Sequence, residues 1–224
     1  MYKQNEYVLA IAAFEKAERI QDDDAQLHYN LGLAYFKVGN YQHTVEHLKR
    51  CILLDNKHPY AYNNLAFLFN IHMIYKETLN ICRQAKEFNR VGHNTHMHWA
   101  FAEFKEGNVV KAIKKIRKGV QKQPTNCECW IVWGLILRSA GKYKSAKHKF
   151  EKALKLNNKN ETAKMELDLV KNLMHFDELL PTDAQLKLST QAYTEALGIG
   201  EGSNSNGAQG GSGSPQAQTM CRIF

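Results

Sequence analysis

At 224 residues, with 44% hydrophobic and 23% charged residues, the chain has the proportions of a globular protein large enough to bury a real core. No run of eighteen apolar residues exists to span a bilayer, and the opening MYKQNEYVLA lacks the basic-then-apolar order of a secretion signal, so a cytoplasmic location is expected. The net charge of +8 calls for an anionic partner or surface, and five cysteines without a regular framework (Cys51, Cys82, Cys127, Cys129, Cys221) fit a reducing compartment.

In chain order, the dominant pattern is a 34-residue repeat starting at Ala25, with units at 25–58, 59–92, 93–126 and 127–160. The seventh place of each unit is bulky (Leu31, Leu65, Trp99, Trp133) and the eighth is small (Gly32, Ala66, Ala100, Gly134). The fifteenth place reads Gly39, Met73, Gly107 and Gly141, and the twentieth Thr44, Thr78, Ala112 and Ala146. A mid-unit glycine ends one helix and allows the turn to the next, while small residues let helices approach closely. One hairpin cannot bury its apolar face alone, so the units are expected to stack into an all-α solenoid.

LHYNLGLAYFKVGNYQHTVEHLKRCILLD and CWIVWGLILRSAGKYKSAKHKFEKALKLNN carry, in order, the leucine, glycine, tyrosine and turn residues of a known pattern. In these residues the chain resembles the tetratricopeptide repeat family, whose units are helix–turn–helix hairpins of this length. The resemblance covers roughly residues 5–175 and implies an α-solenoid; for want of any catalytic motif, neither enzymatic activity nor a cofactor is expected. Tyr7, Ala10, Ile11, Phe14 and Ala17 match a second helix alone, making 1–24 a partial repeat. Met73 departs from the family's turn glycine, and Glu103 stands where an aromatic is usual.

After the repeats, Leu167, Val170, Leu173 and Met174 recur at helical spacing and predict a capping helix over 161–180, stopped by Pro181. A short helix is expected over 181–197. Residues 198–224 are rich in glycine, serine, asparagine and glutamine, which predicts a flexible tail. That tail ends in CRIF, the form of a C-terminal prenylation box, so Cys221 is the expected lipidation site and a cytoplasmic membrane face the expected anchorage.

In the family, the first helix of each unit lines a concave groove. The resemblance places Tyr29, Leu33 and Phe36 there, then Asn63, Phe67 and Asn70, then Met97, Phe101 and Phe104, then Ile131, Leu135 and Arg138. The surface is mostly aromatic and aliphatic, as expected for a groove that takes an amphipathic helix or an extended apolar segment. The lysines and asparagines with which some family members clamp a partner's terminal carboxylate are largely missing: those places hold Tyr29, Leu33, Phe67 and Met97.

The positive charge is local, with fifteen lysines and arginines against three glutamates over residues 105–159. Lys111, Lys114, Lys115 and Lys118 on one second helix, and Lys144, Lys147, Lys152 and Lys155 on the next, are expected on an outer basic face that meets anionic lipid or acidic protein. Aromatics are not interleaved with these lysines, which disfavours nucleic acid. His43 and His47 sit one helical turn apart and His93, His96 and His98 crowd a helix start, but no further ligand is spaced along the chain to complete a metal site. There is no phosphate-cradling loop, carboxylate pair or nucleophile motif. The expected function is a protein-interaction adaptor, tethered to a membrane through Cys221. The rivals are a structural subunit of a large assembly and, behind it, a basic RNA-binding solenoid. Contact with a partner or a second copy is expected at the N-terminal end, where the lone helix leaves the stack uncovered.

Overall fold

The computed structural model describes residues 2–58 and 60–179, and among them it contains helices and no strand. In chain order these are α1 (Tyr2–Ile20), α2 (Ala25–Lys37), α3 (Tyr41–Leu54), α4 (Ala61–Ile71), α5 (Tyr75–Glu87), α6 (His93–Lys105), α7 (Val109–Lys122), α8 (Cys127–Ser139), α9 (Tyr143–Leu156) and α10 (Glu161–Leu179). Each helix packs on the next, and α4, α6, α8 and α10 also pack on one another in series, so the fold is an all-α solenoid of stacked hairpins.

Local chemistry sets the helix starts. Asp24 accepts from the backbone N–H groups of Gln26 (2.7 Å) and Leu27 (3.2 Å), and Asn126 accepts from that of Cys129 (3.2 Å). Asn160 accepts from Ala163 N–H at 2.8 Å and opens α10 in the same way. Each cap satisfies a backbone donor that has no partner inside its helix. The turns between paired helices need a left-handed residue. Gly39 supplies it at φ +82° without steric cost. The second hairpin has no glycine there, and Met73 itself takes φ +60°. The turn therefore keeps its shape and stores strain in the methionine.

The core is a series of seams instead of one centre. Leu48, Tyr62, Leu65, Leu79, Cys82 and Trp99 fill the first, between α3, α4, α5 and α6. Met97, Ala100, Ile116, Cys129 and Val132 fill the second, between α6, α7 and α8. Ile131, Leu135, Phe150, Ala163, Leu167 and Val170 fill the third, between α8, α9 and α10. Phe150 is completely buried, a contribution of about 3 kcal/mol. One polar network crosses the stack: Asn70 of α4 donates to the His98 carbonyl of α6 (3.0 Å) and accepts from the Thr78 hydroxyl of α5 (3.0 Å). Cys51, Cys82 and Cys129 are buried free thiols and Cys127 is a half-buried one. Burial pushes the Cys51 and Cys129 thiols up to about 12.

Candidate partner-binding surfaces

The first-helix face divides into an open part and a sealed part. On α2 and α4, Tyr29, Leu33, Phe36, Asn63 and Phe67 are half-buried, and Tyr60, just before α4, is 60% exposed. Their rings fall into two groups. Tyr29 lies 4.5 Å from His58 and 6.4 Å from Tyr60, and Phe36 meets Phe67 edge-on at 5.8 Å. Phe67 in turn lies 5.8 Å from His98 on α6. The Asn64 amide donates to the Tyr29 hydroxyl at 3.1 Å, which fixes the ring. Asn63 Oδ1 is buried and meets no donor among the described residues. Phe104 is half-buried on α6, with the Lys105 ammonium 5.8 Å from its centre.

Asn70, Met97, Phe101, Ile131 and Leu135 were expected on the same surface, and the structure buries them. The reason is that successive first helices pack on one another, so these places become seams. Met97 sits in the α6–α8 core, and Phe101 packs edge-on against Tyr75 of α5 at 6.0 Å beneath Lys105. Ile131 and Leu135 are covered by Ala163, Leu167 and Val170 of α10. Asn70 is held by the network with Thr78 and His98. Arg138 is half-buried and engaged: its Nε lies 2.9 Å from Glu166 Oε2 on α10. Burial raises the Glu166 pKa and the Arg138 guanidinium pulls it back down. The half-buried part of this face is thus that of α2 and α4, together with Phe104 and Arg138.

The second-helix face is basic but not uniformly solvated. Lys111, Lys114, Lys118, Lys144, Lys152 and Lys155 are exposed and Lys147 is half-buried, 4.0 Å from Glu151. Lys115 is folded inward, with its ammonium 2.9 Å from the centre of the Trp99 ring, whose N–H donates to Glu103 at 3.2 Å. Burial lowers the Lys115 pKa to about 8, opposed by Glu103. Glu103, at the place where an aromatic was expected, is therefore the partner of this buried pair. Between α7, α8 and α9 lies a cavity of about 510 Å³ ringed by Arg117, Lys142, Lys144, His148 and Lys149 and walled by Trp133. The Lys149 ammonium lies 4.2 Å from the Trp133 ring centre, and Trp133 stacks on Trp130 at 5.7 Å. Trp133 Nε1 has no acceptor among the described residues.

His96 and His98 are buried in α6, and burial lowers their pKa values to about 4 and about 3. His47 lies apart from them, beside His28 of α2 and Glu18 of α1. The chain spacing did not reveal that trio, because its members come from three helices. Cys221 and the 181–197 segment lie outside the described residues. Among the described residues no helix is long and apolar enough to cross a membrane.

Sequence models of the tetratricopeptide repeat match residues 1–39, 25–58 and 127–160, so the chain carries such repeats. No curated protein matches the chain. Among solved structures, a crystal structure of MamA is similar at 22% identity and a TM-score of 0.62, over 70% of this chain and 92% of that one. YrrB, described as a TPR protein with an unusual peptide-binding site, matches at 16% identity and a TM-score of 0.59, over 73% of this chain and 84% of its own. A thermophilic TPR protein from Thermus thermophilus matches at 17% identity and a TM-score of 0.60, over 75% and 92%. Likeness at these identities shows the fold.

Proposed function

We propose that the chain is a protein-interaction scaffold that holds an apolar helical or extended segment of a partner against α2 and α4. The observation that carries this is the half-buried set of Tyr29, Phe36 and Phe67, with exposed Tyr60 beside them, in a fold that buries Met97, Phe101, Ile131 and Leu135 on the later first helices. Aromatic rings give large contact area at small entropic cost and are the residue types that dominate binding energy. The peptide-binding site named for YrrB agrees with this use of the fold. The test is selection of peptides from a random display library on the wild-type protein. Enrichment of apolar, aromatic-bearing sequences whose binding falls at least about tenfold in Phe36→Glu and Phe67→Glu supports the reading. Selected peptides that bind both variants as well as wild type overturn it.

A second surface is favoured by the cavity at Trp133. Arg117, Lys142, Lys144 and Lys149 around the Trp133 indole suit an acidic segment. Such binding is expected to weaken steeply with salt and to be lost in Lys144→Glu/Lys149→Glu. RNA fragments that compete better than a polyglutamate peptide would reassign this surface to nucleic acid.

A further inference from the structure

α1, α2 and α3 bring Glu18, His28 and His47 together. His28 Nδ1 and His47 Nδ1 are 3.1 Å apart, and Glu18 Oε1 lies 3.5 Å from the first and 3.6 Å from the second. His28 is only 3% exposed. Its other ring nitrogen, Nε2, is 2.8 Å from the Asp22 carbonyl, which can only accept. Nε2 therefore carries a hydrogen, which leaves Nδ1, facing His47 and Glu18, as the ring's available ligand atom. This is how proteins orient an imidazole for a metal, with the second nitrogen donating to a backbone carbonyl.

A proton shared between the two rings would account for the 3.1 Å contact, but it leaves the Glu18 oxygen beyond good hydrogen-bonding range of both. One ion at the centre accounts for all three separations. Tetrahedral bonds of about 2.0–2.1 Å put neighbouring ligand atoms about 3.3 Å apart, between the shortest and longest edges observed. Two imidazoles and one carboxylate suit zinc and its neighbours far better than calcium or magnesium. Glu18 is 29% exposed, which provides the way in and room for a water as fourth ligand. A role for such an ion is visible in the packing of α1. Among the described residues α1 contributes no buried hydrophobic side chain, and Val8, Leu9 and Ile20 are exposed. It is held to the stack partly by polar contacts, including Tyr35 donating to Glu15, and just past its end Asp22 pairs with Arg50.

We propose that Glu18, His28 and His47 hold one divalent first-row transition ion, zinc by preference, which clamps α1 onto α2 and α3. The test uses the full chain stripped with a chelator, titrated with Zn²⁺ by calorimetry and with Co²⁺ by visible absorption. The expected result is one equivalent bound, with tetrahedral Co²⁺ bands and a rise in melting temperature. Glu18→Gln and His47→Ala should each weaken binding about 100-fold, and His175→Ala on distant α10 should leave it unchanged. Circular dichroism of the chelator-treated variants checks that they fold, with His47→Gln as the replacement if His47→Ala does not. Absence of stoichiometric binding by wild type overturns the proposal, and so does equal affinity in the folded ligand variants, which would place the ion on other histidines.

Discussion

A methyl group added to Gly134 would lie 2.5 Å from Cε1 of Phe150 and 2.7 Å from its Cζ, so the backbone of α8 rests directly on that buried ring. Alanine is the better helix former by about 1 kcal/mol, yet here it must push the ring or the helix away. Gly134→Ala is expected to lower stability by a net of about 1–3 kcal/mol, read as a lower urea midpoint. Gly32→Ala faces Leu48 Cγ at 3.1 Å and should cost less. The reverse order of the two midpoints would contradict this account.

Met73 holds a left-handed backbone at φ +60° while its side chain is 55% exposed and packs little. Met73→Gly removes the strain and loses little contact. Stability should rise by about 1 kcal/mol, seen as a higher melting temperature. A lower one would mean that the side chain matters more than the turn.

Arg138 and Glu166 form a largely buried pair between α8 and α10. Arg138→Ala leaves the carboxylate, 6% exposed, without its partner, at a cost of about 3–5 kcal/mol near neutral pH. The folded-state pKa of Glu166 is already raised by burial, and removing the guanidinium raises it further. A carboxyl with a raised folded pKa loses stability as pH climbs through that value. The gap between variant and wild type should therefore narrow as pH falls toward the carboxylate range. Urea midpoints of both proteins near neutral pH and at about pH 4.5, close to the usual carboxylate pKa, check this, and an equal gap at both would count against it.

The histidines of α6 are expected to set the acid limit. Burial holds His96 at about 4 and His98 at about 3, with Lys122, Lys115 and Lys118 adding to the effect at His96. The unfolded chain takes up protons near pH ~6.5, so stability is fully present above that pH and falls as pH drops toward the folded values. His96→Gln should remove on the order of 2 kcal/mol of the decline between about pH 7 and about pH 4.5. An unchanged decline in the variant would show that other groups control it.

The fold was legible because its signal is periodic. Leu31, Leu65, Trp99 and Trp133 recur at one place, and small residues such as Gly134 recur beside them. Such a pattern reports which residues face a neighbouring helix, and a solenoid has almost no contacts beyond neighbours. Which places stay open was not legible in the same way. Phe67 and Phe101 both occupy the ninth place of their units, but the first is half-buried and the second buried under Lys105 against Tyr75. That difference depends on how closely successive hairpins stack, which no single unit encodes. Glu18, His28 and His47 escaped the sequence for a related reason: ligands from three helices have no spacing to recognise. Glu103 was visible only as an oddity, and its meaning waited on Trp99 and Lys115.

Three sealed thiols punctuate the stack at Cys51 in α3, Cys82 in α5 and Cys129 in α8. None can meet an alkylating reagent until its own joint parts, and each joint belongs to a different hairpin. Their order of modification, followed by mass spectrometry in native buffer, amounts to a built-in clock of how the rod unzips. It would tell whether loosening starts beside α1 or travels inward from α10.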